Sequence, residues 1–87
     1  MNRAEKAMDK TEVQKRVIKV VCHVLGADPK EVTTESDFVF DLGAESAQSV
    51  GLVTAFEAEF GIEMDHEEAL KVQTVGGAAD YISKQLM

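Results

Sequence analysis

The run Asp41-Leu42-Gly43-Ala44-Glu45-Ser46 holds the residues best placed to do chemistry. Its serine stands where an open loop gives way to a helical pattern, so its hydroxyl is expected to be exposed. Ser is a favoured helix N-cap residue, and capping alone accounts for such a position. As a nucleophile the hydroxyl has no help nearby, because His23 and His66 are both distant in sequence. A base or metal to activate it must come from another protein. The remaining polar groups offer less. Asp37, Asp41, Gly43 and Glu45 suggest a calcium loop, but counting from Asp37 puts Val39 third and Leu42 sixth. An EF-hand needs an oxygen ligand and a glycine there, so the match fails. Asp65, Glu67 and Glu68 form a solvated acidic helix face, with His66 at the surface beside them. Cys22 and His23 are neighbours on a helix and do not face each other, which leaves Cys22 to the core. No constellation for independent catalysis is present, and no metal site is expected.

The elements that must hold this serine follow from hydrophobic spacing. Residues 1–10 are charged and aperiodic and are expected to be a frayed leader, with the domain spanning 11–87. Thr11-x-x-Gln14 has the form of a capping box. It opens a helix over 12–25 whose Val13, Val17, Val20, Val21 and Val24 share one face, and Gly26 supplies its stop. A connection from Ala27 to about Glu45 follows, punctuated by Asp28-Pro29. Loops this long are uncommon in compact domains, and Val32, Phe38, Phe40 and Leu42 are expected to pin it to the bundle. Ser46 to Phe60 is predicted helical, ending at Gly61, with Val53, Phe56 and Phe60 inward and Val50 and Leu52 on the flanks. A short helix is predicted over Asp65–Lys71. Thr74 caps a last one running to about Gln85, with Val75, Ala78, Ala79, Ile82 and Leu86 inside. Gly76 and Gly77 fall in its first turn, where each weakens a helix by up to about 1 kcal/mol. The fold class is all-α, a three- to four-helix bundle with a long ordered loop between the first two helices.

Eighty-seven residues make one domain. A chain of this size buries roughly 60–65% of its unfolded surface, enough for a shallow cavity but hardly a deep cleft. The net charge is −7, and the eleven acids between Glu31 and Leu70 are interrupted by no Lys or Arg. That stretch repels nucleic acid and attracts basic protein surfaces. No run of 18 or more apolar residues exists to cross a membrane, and the N-terminal residues are too polar for a secretory signal. A single cysteine excludes an internal disulfide. A cytoplasmic protein, monomeric and binding neither nucleic acid nor membrane, is the expectation.

From residue 12 onward the chain resembles the acyl carrier protein family. The resemblance rests on Phe38-x-x-Asp41-Leu42-Gly43 leading to Ser46, on Phe60-Gly61, on Thr74-Val75 and on Asp80-Tyr81-Ile82. Leu42-Gly43-Ala44 favours the acyl type over peptidyl carriers, which more often show Leu-Gly-Gly. The resemblance implies that a phosphopantetheinyl transferase attaches a 4′-phosphopantetheine arm from coenzyme A to Ser46. It further implies that acyl chains ride on the arm as thioesters. Acyl-transferring and chain-modifying enzymes of fatty acid or related polyketide biosynthesis, with basic docking surfaces, are the implied partners. A helix N-terminus suits such a phosphate, since its N–H groups and dipole both favour an anion. Sheltering of the cargo between the second and later helices is implied too, with Val53, Phe60, Ile62, Leu70 and Ala79 as expected lining.

The sequence departs from the family pattern just past the serine. Asp-Ser-Leu reads Glu45-Ser46-Ala47, and positions that commonly hold acids carry Gln48, Gly51 and Ala58, leaving Glu57 as the clearest acid. Ala47, Gly51, Thr54 and Ala58 fall within about 60° on a helical wheel. Glu45, Ala47, Gln48, Gly51, Thr54, Glu57 and Ala58 are therefore the expected partner face, suited to specialised enzymes rather than the general set. The alternative is an unmodified interaction module docking through Ala47, Gly51, Thr54 and Ala58. The cargo, its length and the pathway are not encoded legibly.

Overall fold

A computed structural model describes residues 9–86. Residues 1–8, most of the expected leader, lie outside the described residues. Four helices follow in order: α1 (Lys10–Leu25), α2 (Ser46–Phe60), α3 (His66–Leu70) and α4 (Val75–Leu86). The described residues contain no strand, only an isolated bridge between Asp37 and Thr74. α1 packs against both α2 and α4, while α3 packs on α2. The core is a valine stripe from α1 (Val13, Val17, Val20, Val21) set between Leu52, Val53, Phe56 and Phe60 of α2 and Val75, Ala78, Ala79 and Ile82 of α4. No described helix is long and apolar enough to cross a membrane.

Helix ends follow local chemistry, though not always the expected residue. α1 starts at Lys10 because the Asp9 carboxylate, not Thr11, accepts the Glu12 N–H at 2.9 Å. Lys10 then reaches Asp80 on α4 at 2.6 Å. Gly26 and Gly61 end α1 and α2 in the left-handed conformation, as their positions predict. Asp65 caps α3 by accepting from Glu67 and Glu68. Thr74 caps α4, its hydroxyl accepting the Gly77 N–H at 3.0 Å.

The long loop is tied to the start of α4, which explains its order. The Val75 N–H donates to the Ser36 carbonyl at 3.0 Å and the Gly76 N–H to the Thr34 carbonyl at 2.7 Å, while the Phe38 N–H donates to the Gln73 carbonyl. These contacts satisfy amide groups that a helix N-terminus leaves without partners. Val32 and Phe38 are buried as expected, and Leu42 is half-buried against the core. Phe40 is not an anchor. It stands 86% exposed.

Candidate functional site

Ser46 is the first residue of α2, and its side chain is exposed. The helix cap is Glu45 instead, whose backbone N–H donates to the Gln48 side-chain oxygen at 2.9 Å. This corrects the expectation that Ser46 caps the helix, and it leaves the hydroxyl free of a capping task. It also gives Gln48, expected on a partner face, a structural role at the helix entry.

The approach to Ser46 is a compact turn. One Asp37 carboxylate oxygen accepts the N–H groups of Val39 and Phe40, both at 2.9 Å. The Asp37 N–H donates to Asp41 at 2.7 Å, and the Asp37 carbonyl accepts from Asp41 and Leu42. The Ala44 N–H closes the turn on the Phe38 carbonyl at 2.8 Å, and Ala44 is buried. The rest of the entry is open, with no atom within 4 Å of where a Gly43 Cβ would stand. α2 carries no acidic residue in its first turn, so its N–H groups and dipole favour a phosphate there. An exposed hydroxyl at an unobstructed helix entry fits a phosphodiester-linked arm. The histidines lie elsewhere: His66 stands 3.3 Å from Glu57, and His23 is in the last turn of α1.

Beyond the entry, Ala47, Thr54 and Ala58 are exposed and Gly51 is half-exposed along one side of α2. Nothing lies within 4 Å of a Cβ built on Gly51. Gly51→Ala is therefore expected to stabilise the fold by about 0.5–1 kcal/mol, measured by urea denaturation. A loss of stability would show that α2 is not regular there. Glu57 does not extend this face as a free acid. One carboxylate oxygen accepts the Met64 N–H at 2.8 Å and the other lies 3.3 Å from His66. Glu59 pairs with Arg16 of α1 at 2.7 Å, and that guanidinium sits 5.4 Å over the Phe60 ring.

The Met64 N–H, more than the His66 contact, holds the Glu57 carboxyl below its ordinary value, against the opposing effect of burial. A depressed carboxyl stabilises the fold fully above its unfolded value and loses that contribution as pH falls through the folded one. The stability gap between wild type and Glu57→Gln should therefore be widest near neutral pH and shrink below about pH 4.3. A gap unchanged across that range would remove Glu57 as an acid-sensitive clamp on the α2–α3 turn. Cys22 is half-buried on α1, and burial, aided by Asp28, pushes its thiol up.

A cavity of about 310 Å³ opens beside the serine end of α2. Phe38, Val39 and Phe40 of the loop line it with Leu52, Val53 and Phe56 of α2, Met64, Ala69 and Leu70 around α3, and Ala78 and Tyr81 of α4. Of the expected lining, Val53 and Leu70 are present and Phe60, Ile62 and Ala79 are not. Phe60 turns toward α1 beneath Arg16, Ala79 is fully buried, and Ile62 packs at the edge of the core. Ser49, which also lines the cavity, lies one helical turn from Ser46.

A helical bundle presenting an open serine at a helix entry beside an apolar cavity has the form of a carrier domain. The family model described as phosphopantetheine attachment site matches residues 15–82. The chain is also 46% identical over 76 residues to the acyl carrier protein of Phenylobacterium zucineum (strain HLK1), covering 87% of this chain and 96% of that protein. It belongs to the acyl carrier protein family. Membership makes it a carrier of acyl groups on covalent 4′-phosphopantetheine, not an enzyme, served by a phosphopantetheinyl transferase and biosynthetic enzymes. The alternative of an unmodified docking module gains nothing from this match.

Proposed function

We propose that Ser46 carries the phosphopantetheine arm and that the cavity between α2, α3 and α4 shelters the acyl cargo. The observation carrying this reading is the exposed Ser46 hydroxyl at the first position of α2, relieved of capping by Glu45 and Gln48. In the attachment, the Ser46 oxygen loses its proton to a base of the transferase and bonds to the pantetheine-side phosphorus of the coenzyme A diphosphate, as the bond from that phosphorus to the bridging oxygen breaks. The adenosine bisphosphate portion leaves. The first-turn N–H groups of α2 then face the new phosphodiester. Bound there, the arm supplies a thiol that holds acyl groups as thioesters. Each methylene moved from water into the cavity is worth about 0.8 kcal/mol.

Incubation with a phosphopantetheinyl transferase and coenzyme A, read by intact mass, tests the assignment. One phosphopantetheine gained, located on the peptide containing Ser46, is expected. No gain with several transferases, or a gain on another residue, would overturn it.

The partner face on this reading is Glu45, Ala47, Gly51, Thr54 and Ala58, with Gln48 and Glu57 holding its frame. Small side chains allow close backbone approach, and few free acids remain on α2 to latch a basic docking surface. Enzymes dedicated to this carrier, rather than the general fatty acid set, fit that face. Competition against a standard carrier tests it, and equal turnover by ordinary ketosynthases and reductases would sink it. A monomer acting in the cytoplasm, reading neither nucleic acid nor membrane, is part of the same proposal. It rests on the −7 charge and the single cysteine.

A further inference from the structure

The described chain exposes four large apolar side chains: Phe40 at 86%, Val39 at 55%, and Leu70 and Val50 at 46% each. They are not scattered. Val39, Phe40 and Leu70 all line the mouth of the cavity as well as facing solvent, and Val50 follows the cavity-lining Ser49. Nor is the exposure of Phe40 an accident of a loose loop. Asp37 accepts the N–H groups of Val39 and Phe40, and Asp41 accepts that of Asp37. This clamp fixes the backbone so that the ring stands out from the core.

We propose that Val39, Phe40 and Leu70 form an apolar collar that continues the cavity outward and covers the part of an acyl chain that the cavity cannot hold. This rests on the Ser46 reading and narrows the cargo to chains long enough to overrun about 310 Å³, near the lower end for ligand pockets. The occupant is the chain's own cargo, because the three residues belong to the cavity wall and the arm begins one helical turn away at Ser46. Phe40 and Leu70 approach the chain from opposite elements, the loop and α3, and would close over it from two sides.

The test loads the phosphopantetheinylated protein with hexanoyl, decanoyl or palmitoyl groups. Thioester cleavage by hydroxylamine is then followed in wild type and in Phe40→Ser, Leu70→Ser and Phe40→Leu. Both substituted positions, Phe40 and Leu70, are exposed to solvent, and circular dichroism checks the fold. Palmitoyl cleavage is expected to run about threefold to tenfold faster in the two serine variants, the effect of losing part of an aromatic or leucine contact. Hexanoyl cleavage should be unchanged, and Phe40→Leu should retain most of the protection. In wild type, the amide and side-chain NMR shifts of Val39, Phe40 and Leu70 should move with palmitoyl and not with hexanoyl. Equal cleavage across all variants and lengths, with those shifts unmoved, would overturn the collar while leaving Ser46 as the attachment point. Failure to gain the arm on Ser46 would bring down both readings. Normal protection combined with slower transfer by a partner enzyme would assign the collar to protein docking and overturn the cargo role.

Discussion

Ser46→Ala should abolish the phosphopantetheine mass gain entirely while leaving the melting temperature almost where it was. The first half follows from the proposed nucleophile, since alanine offers no oxygen to bond to phosphorus. The second half follows from the helix cap. Were Ser46 the N-cap, its loss would cost about 1 kcal/mol. Instead the cap is Glu45, with Gln48 accepting its N–H at 2.9 Å. Ser46 is the first helical residue, exposed, where alanine is the best helix former, so a change within about 0.5 kcal/mol is expected. The informative comparison is Gln48→Ala, which removes the acceptor for the Glu45 N–H. That variant should lose stability yet still be modified. If Ser46→Ala unfolds the protein while Gln48→Ala does not, the assignment of the cap is wrong.

Gly76→Ala should destabilise the fold, although helix propensity alone predicts a gain of about 1 kcal/mol. A Cβ at this position would stand 2.8 Å from the Thr34 carbonyl oxygen and 3.2 Å from Thr34 Cβ. Backbone cannot swing aside as a side chain does, so the loop must retreat. The 2.7 Å bond from the Gly76 N–H to that carbonyl would then stretch or break. Overpacking of this kind costs about 1–3 kcal/mol, and in a domain this small each kcal/mol lowers the melting temperature by roughly 4–8 °C. Gly77→Ala is the control. Its Cβ would meet the Thr74 hydroxyl and a Val72 methyl, both at 3.1 Å, and those are side chains. A smaller loss is expected. Stabilisation by Gly76→Ala comparable to that by Gly51→Ala would show that the loop is not pinned to α4.

The contrast between these glycines marks what the sequence revealed and what it did not. Helix faces were legible because their periodicity is fixed by backbone geometry: Val13, Val17, Val20 and Val21 of α1 and the Val75, Ala78, Ala79 and Ile82 face of α4 are all buried, with Val24 half-buried at the end of its stripe. The serine at the entry to α2 was legible through its neighbours in sequence. Gly76, by contrast, reads only as a weak helix residue until the Thr34 carbonyl is placed against it. Phe40 was expected to point inward because aromatics usually do, but loops lack a period, and the Asp37 clamp that turns it outward depends on which N–H groups one carboxylate reaches. Glu57 looked free because its partner, the Met64 N–H, arrives only after the chain has turned back past Gly61. α1 starts before the Thr11 capping box that the sequence suggests, because the Asp9 carboxylate reaches the Glu12 N–H, a contact that only the folded geometry reveals.

The turned-in acids also shape the kinetics of partnership. A net charge of −7 still acts at long range, so a partner with a basic surface would be drawn toward the carrier, with a rate of encounter that falls as salt is added. Once the two surfaces touch, however, Glu57 is held by Met64 and His66, and Glu59 by Arg16. Neither is available to latch the visitor. On the proposed partner face, the lifetime of the pair would then depend on close packing against Ala47, Gly51 and Ala58, which salt hardly changes. On that face the carrier would collide often and depart readily, a behaviour suited to a shuttle that must leave each enzyme before reaching the next.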